Sequence, residues 1–291
     1  MVELIRAIQQ SYQTLFIFAK YFMLSFNEIE IVLDDLLTLH GYDFTYYSKE
    51  SLLRRINKIY RLEAFKSFVD FRNKIKYDSN YIDHLINRMT VNVTEMFRDP
   101  EFYLSLRNEV LPHLAQQSHI KIWHAGCSTG EEVYSMAIIL HECGLLEKTT
   151  LYATDINLKV LEKASAGTYS LSLLSLYETK YKLSGGTNNF TDYYEVTSSG
   201  GKLIPSLGKQ MVYSHHNLAM DAYFNKFDII LCRNVLIYFD KPLLTKVLNL
   251  FDMCLNPSSF LALGEKETIR FTSIENKYAS IGAGKIWKKL R

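Results

Sequence analysis

Charge bias is nearly absent from this chain: Lys and Arg exceed Asp and Glu by two, a formal net charge of +2. No global field therefore argues for nucleic acid as a partner. Cysteine is scarce, with four residues at 127, 143, 232 and 254 and neither a Cys-x-x-Cys pair nor paired histidine spacing. That pattern argues against a disulfide framework and against a metal site, and it suits a reducing compartment. A cytoplasmic protein is the expectation. Long hydrophobic runs are missing too. The most apolar stretch, Leu15 to Leu24, is interrupted by Lys20 and is far shorter than the ~20 residues a membrane span needs. It has no basic flank or small-residue cleavage site, so it reads as a core-packing or interfacial helix and not as a signal peptide. Internal repeats, low-complexity tracts and the Lys-containing phosphate loop of nucleotide hydrolases are also absent, which leaves phosphoryl transfer without support.

What is present is a chain of 291 residues with 48% hydrophobic and 13% aromatic content, enough for one large domain or a small one joined to a medium one. Residues 26–90 read as an N-terminal all-helical domain. Ser25 or Asn27 can cap a run with Ile29, Val32, Leu33 and Leu36 at helical spacing, and Gly41 ends it. A second run starts near Ser51 and carries Leu52, Leu53, Ile56, Ile59, Tyr60, Leu62 and Phe65. A third lies around residues 81–89. Residues 1–25 stand apart as an N-terminal extension, with Met23 an alternative start.

From about residue 119 the period changes. Ile120 to Ala125 and Thr150 to Asp155 read as strands, and Val133 to Leu140 and Leu158 to Ala166 as helices. This alternation predicts βαβ units and a parallel sheet, an α/β domain over 91–291. A third buried strand, Phe227 to Leu231, runs into Cys232-Arg-Asn-Val-Leu-Ile-Tyr-Phe-Asp240. Polar groups at the end of a buried strand stand where open α/β sheets bind ligands. Between about 187 and 212, short strands around Ser198-Ser-Gly-Gly201 predict a small antiparallel β-insert.

Three upstream segments fall in an order that fits one site: Asn92-Val-Thr-Glu-Met-Phe-Arg98, His124-Ala-Gly-Cys-Ser-Thr-Gly-Glu-Glu132 and Ala153-Thr-Asp155. Gly126 ends a strand and Gly130 opens a helix, where backbone can approach a ligand and helix-start amides favour polar groups. Their spacing is looser than the dinucleotide fingerprint. Ser128 and Glu131 are spaced as a capping box, which gives Glu131 to the helix and leaves Glu132 for ligand contact. Asp155, closing its strand, can accept from a ribose hydroxyl pair or cap the following helix; the glycine loop before it favours ribose.

Taken together, Asn-x-Thr-x-x-Phe-Arg at 92–98, Gly-x-Ser-Thr-Gly-Glu-Glu-x-Tyr-Ser at 126–135, Ala-Thr-Asp-Ile at 153–156, Asn217-Leu218 and the 232–240 run resemble the CheR family, from about residue 26 to the end. These are chemotaxis-receptor glutamate O-methyltransferases that use S-adenosylmethionine. The resemblance implies a Rossmann-like methyltransferase domain. It further implies that Asn92, Thr94, Arg98, Glu132, Asp155, Asn217, Leu218, Arg233 and Asn234 line the S-adenosylmethionine pocket, S-adenosylhomocysteine being the product. Arg98 and Tyr238 would lie beside the transferred methyl.

The partner it implies is the cytoplasmic helical domain of a chemoreceptor. Between Lys49 and Lys76 nine Lys or Arg face three Asp or Glu; Arg54, Lys58 and Arg61 share one helical face with Arg55 beside it. A charge run is commonly just a solvated face, but in CheR-like enzymes the corresponding helix meets the acidic methylation helices. In some members the β-insert captures a receptor's C-terminal peptide by strand addition. A monomer without membrane insertion is expected. The chain departs from the family at Val133, in place of proline, at Gly264-Glu-Lys-Glu267, in place of Gly-His-Ser-Glu, and at Pro257-Ser-Ser259, in place of Pro-Gly-Gly. A nucleic-acid methyltransferase is disfavoured, since no Asp/Asn-Pro-Pro-Tyr motif is present to hold a flipped base. A catalytically weak adaptor in chemosensory signalling is the alternative from another class.

Overall fold

Side-chain patterning accounts for both halves of the computed structural model, which describes residues 23–90, 92–282 and 284–290. The chain divides into two compact units between Met89 and Thr90. Most of the Leu15–Leu24 segment lies outside the described residues; Leu24 itself is buried.

The first unit holds α1 (Phe26–His40), α2 (Lys49–Leu62), α3 (Phe68–Tyr77) and α4 (Ser79–Met89). Of the two caps expected for α1, Ser25 is the one used, in a reciprocal capping box with Glu28, and Gly41 closes the helix at φ 75°. Val32, Leu36, Ile56, Phe71, Ile75 and Leu85 are fully buried between the helices. Buried Asn57 on α2 ties down the chain before α1, its Oδ1 accepting from the Leu24 N–H at 2.6 Å. Asp35, also buried, accepts from Arg72 at 2.6 and 3.1 Å. The amphipathic α2 leaves Arg54, Lys58 and Arg61 exposed. Arg55 is different: its guanidinium donates to the Met89 carbonyl at 2.5 Å and so closes the C-terminus of α4. A hydrogen-bonded helix stop is thus part of its work, and it lies half-buried beside the exposed basic face.

The second unit begins with α5 (Pro100–Ser105) and, after a π-helical turn at Leu106–Val110, α6 (Leu111–Leu114). Then follow β1 (Ile120–Ala125), α7 (Glu131–Glu142), β2 (Thr149–Asp155), α8 (Leu158–Ala166), β3 (Thr168–Tyr169), α9 (Leu171–Leu183), β4 (Tyr194–Thr197), β5 (Gly200–Leu203), α10 (Pro205–Gly208), β6 (Met211–His215), β7 (Phe227–Cys232), α11 (Lys241–Cys254), β8 (Leu255–Leu263), β9 (Tyr278–Ile281) and β10 (Ile286–Lys289). The main sheet runs β6-β2-β1-β7-β8-β10-β9. Its first five strands are mutually parallel; β10 runs antiparallel to β8, and β9 antiparallel to β10. β1 and β7 are almost wholly buried, as strands covered on both faces must be.

The small antiparallel sheet has the order β3-β5-β4. It differs from the insert expected over 187–212 at both ends. Thr168 and Tyr169 supply an edge strand from before that range, and Met211 to His215 leave the insert to pair in parallel with β2. A short strand's period fixes which residues share a face but not which neighbour it joins. Among the described residues no helix is long and apolar enough to cross a membrane.

Candidate active site

The chain leaves β1 for β2 on one side and later returns to place β7 on the other, so a crevice opens beyond the carboxyl end of β1. The loops at this edge follow β1 (126–130), β2 (from Asp155), β7 (233–238) and β8 (264–267).

The loop after β1 is stapled to the end of β2. The N–H groups of Gly126 and Cys127 both donate to the Thr154 carbonyl, at 2.8 and 2.9 Å, and Ser128 N–H donates to Asp155 Oδ2 at 2.9 Å. Gly126 has φ 81°, and a Cβ there would sit 2.6 Å from Val235 Cγ2, so the loops after β1 and β7 touch. The expected capping box does not form. Gly130, at φ 91°, is the N-cap of α7, and no side chain caps it. Ser128 is held in the left-handed region at φ 51°, its hydroxyl has no partner among the described residues, and Glu131 accepts instead from Thr129 Oγ1 at 2.7 Å.

Asp155 is buried, its Oδ1 accepting from the Asn157 N–H at 3.0 Å. Burial raises its pKa, and the N–H bonds from Asn157, Ser128 and Ile156 oppose that without cancelling it. The cap of α8 is Asn157, whose Oδ1 accepts from Lys159 N–H at 3.0 Å, so Asp155 is not the helix cap. Thr90 Oγ1 accepts from both Asn92 Nδ2 at 3.1 Å and Asn157 Nδ2 at 3.2 Å, which brings the 92–98 segment to the end of β2. The His216 N–H donates to the Asp155 carbonyl at 3.2 Å, setting buried Asn217 and Leu218 beside it. Asn217 Oδ1 is turned back onto the Ala219 N–H at 2.9 Å.

A charged array runs through the middle. Glu132 accepts from His124 Nδ1 at 2.9 Å and from Arg233 at 3.2 Å. Arg233, its side chain 2% exposed, donates onward to the Arg98 carbonyl at 3.0 Å and to Asp99 Oδ2 at 2.7 Å. Its guanidinium also lies 4.1 Å from the Phe102 ring centroid. Burial alone would raise the Glu132 pKa; the His124 hydrogen bond and the Arg233 charge outweigh it, and the net direction is down. Glu132, expected from the sequence to face a ligand, is thus bound to two protein side chains.

Arg98 is held by its backbone. Phe97 N–H donates to Ser135 Oγ on α7 at 2.9 Å, and Phe97 and Asp99 on either side take φ 53° and 58°. The residue is half-buried, and its guanidinium makes no hydrogen bond or ion pair among the described residues. Asp99, the obvious neighbour for a surface ion pair, is taken by Arg233. Thr94 is half-buried on the same loop.

After β7, Asn234 sits at φ 61° and Tyr238 ends a short 3-10 turn, Leu236–Tyr238. What shapes this stretch is Glu267, a residue that the sequence motifs did not single out. It is buried, and it accepts from the N–H groups of Gly264 at 2.6 Å, Asn234 at 2.9 Å and Ile237 at 3.2 Å. Its pKa is raised by burial, with those amides pulling the other way. Gly264 is required here, since a Cβ would meet Asn234 N at 2.8 Å. The signal was available: an acid three residues beyond a strand-ending glycine. Four left-handed non-glycine residues (Phe97, Asp99, Ser128 and Asn234) fall within these loops. Strain concentrated this way is characteristic of sites whose geometry is imposed by their surroundings.

With the geometry in place, the comparisons decide the family. The profile described as "CheR methyltransferase, SAM binding domain" matches residues 92–284, and "CheR methyltransferase, all-alpha domain" matches 27–90. This chain belongs to the CheR family. It is 40% identical to the Pseudomonas putida protein Cher3 over 86% of this chain and 92% of that one. A chemotaxis protein methyltransferase of Borreliella burgdorferi is 32% identical over 74% and 79% of the two chains. One from Vibrio parahaemolyticus is 34% identical over 67% and 71%. The protein is therefore a methyltransferase of the chemotaxis type, with S-adenosylmethionine as its donor. The residues present suit that group. Asn234 Oδ1 and Ser128 Oγ are buried acceptors without partners among the described residues.

Proposed function

We propose that this CheR protein methyl-esterifies glutamate side chains of a chemoreceptor. The observation that carries the reading is the bond from Arg233 to the Arg98 carbonyl, which joins motif segments 135 residues apart while the Arg98 guanidinium has no partner among the described residues. When bound, S-adenosylmethionine supplies a methyl group on a positively charged sulfur. A glutamate carboxylate, pKa ~4.3, is already ionised near neutrality, so the chain needs no general base to make it nucleophilic. Charge is lost as the methyl moves, and strong stabilisation of the separated charges would slow the step. The rate gain then comes from alignment in a dry cleft, where orientation supplies up to roughly 7–11 kcal/mol. In this reading Arg98 aligns the acceptor carboxylate and Tyr238 fixes one oxygen. Asn92, Thr94, Asp155, Asn217, Leu218 and Asn234 hold the donor, while Glu132 and Arg233 shape the wall behind them.

Tritium transfer from labelled S-adenosylmethionine to chemoreceptor-bearing membranes tests the proposal: the label is expected as a base-labile methyl ester. Base-stable label would assign the activity to nitrogen or another acceptor. The exposed face of Arg54, Lys58 and Arg61 is the proposed receptor contact, reached through long-range attraction to acidic helices. Reversing all three to Glu is expected to raise receptor KM several-fold, most at low salt where screening is weakest. An unchanged KM would remove that role.

A further inference from the structure

His124 lies within an apolar strand and is fully buried, a setting in which a histidine commonly does no more than fill space. Its contacts say otherwise. Nδ1 reaches Glu132 Oε1 at 2.9 Å, and the carboxylate can only accept, so Nδ1 carries the proton. Nε2 is buried with no partner among the described residues. The ring is therefore oriented by its single bond to Glu132, and the cost of leaving Nε2 unpaired is tolerated to keep it.

Glu132 in turn uses its second oxygen on Arg233. Arg233 spends its other terminal nitrogen on the Arg98 carbonyl and on Asp99. Along this line each group determines the orientation of the next, and the last of them is the backbone that presents Arg98. We infer that His124 is a positioning residue for methyl transfer, acting through Glu132 and Arg233 on the Arg98–Asp99 segment. It touches neither donor nor acceptor. Supports of this kind, one layer behind the reacting groups, decide whether a site is held tightly enough to work. The inference rests on the reading of Arg98 as the group that aligns the acceptor.

The test uses two variants of the full chain. His124→Leu keeps the volume and removes the donor, whereas His124→Asn puts an amide N–H near the position of Nδ1. Two quantities are read. One is the single-turnover rate of methyl transfer to chemoreceptor-bearing membranes, per site competent to bind S-adenosylhomocysteine as counted by calorimetry. The other is amide hydrogen exchange across residues 97–102. We expect His124→Leu to slow transfer about ten- to a hundredfold per site and to speed exchange in that stretch, with His124→Asn restoring both. A wild-type rate per site in His124→Leu would overturn the inference, as would His124→Asn failing as badly as His124→Leu. If the wild-type protein labels nothing on the membranes, the receptor reading fails; the exchange comparison still decides the role of His124, since unchanged exchange in His124→Leu would refute it.

Discussion

Arg98 and Arg233 meet at a single backbone carbonyl, yet the loops that carry them have opposite characters. Arg233 has almost no exposed surface and spends its guanidinium on Glu132, Asp99 and a main-chain oxygen. Arg98 is half-buried and spends none of its own on the described residues. The same side chain thus stands in two settings, one arginine bonded within the protein and the other, in the proposed reading, available to the acceptor. The difference arises from the backbone: Arg233 follows directly on the buried strand β7, and Arg98 lies in a loop pinned by its main chain to α7.

Substitutions should separate the two. Arg233→Ala leaves buried Glu132 and neighbouring Asp99 without their cation, and it is expected to destabilise the second unit by about 3–5 kcal/mol. Urea unfolding followed by tryptophan fluorescence checks this, since Trp123 and Trp287 both lie in that unit. Arg98→Ala should shift the same transition by less than about 1 kcal/mol while lowering methyl transfer by at least a hundredfold or so. Equal loss of stability in both variants would erase the distinction. Glu267→Gln keeps one acceptor oxygen for the turn around Asn234 and gives up the other, so a loss of about 1–3 kcal/mol is expected in that unfolding transition. Asp99→Asn should cost less than Arg233→Ala or Glu267→Gln, about 0.5–1.5 kcal/mol, because Asp99 is partly exposed and Arg233 retains Glu132. Should Asp99→Asn instead remove activity as completely as Arg98→Ala, Asp99 would have to be serving Arg98.

Much of the fold could be read ahead of the structure. The strand at 120–125 and the helix at 158–166 carry clean periodicities and appear with the bounds expected. The family motifs identified which loops meet. What could not be read was the destination of individual side chains over long separations. Glu132 looked like a ligand contact because its neighbour Glu131 fitted a capping box; nothing local announced that Arg233, 101 residues away, would claim it. Helical spacing puts Arg55 beside the basic face, and nothing local announces its bond to the carbonyl of a residue 34 positions on. The capping box failed for a local reason: Gly130 takes a left-handed φ as N-cap, and the Ser128 N–H is committed to Asp155. Glu267 stands in the sequence only within a segment that departs from the family pattern, and its role is hidden because its work is done on main-chain amides, which leave no trace in residue type.

Gly126 imposes a limit on what this lineage can become. Its α-hydrogen faces the Val235 side chain, and the peptide beneath it bends in a sense that alanine resists even where room exists. Trimming Val235 would clear the collision and leave the torsional penalty untouched. A paired exchange at 126 and 235 would therefore remove the clash and still carry the torsional cost, so the position is constrained twice over.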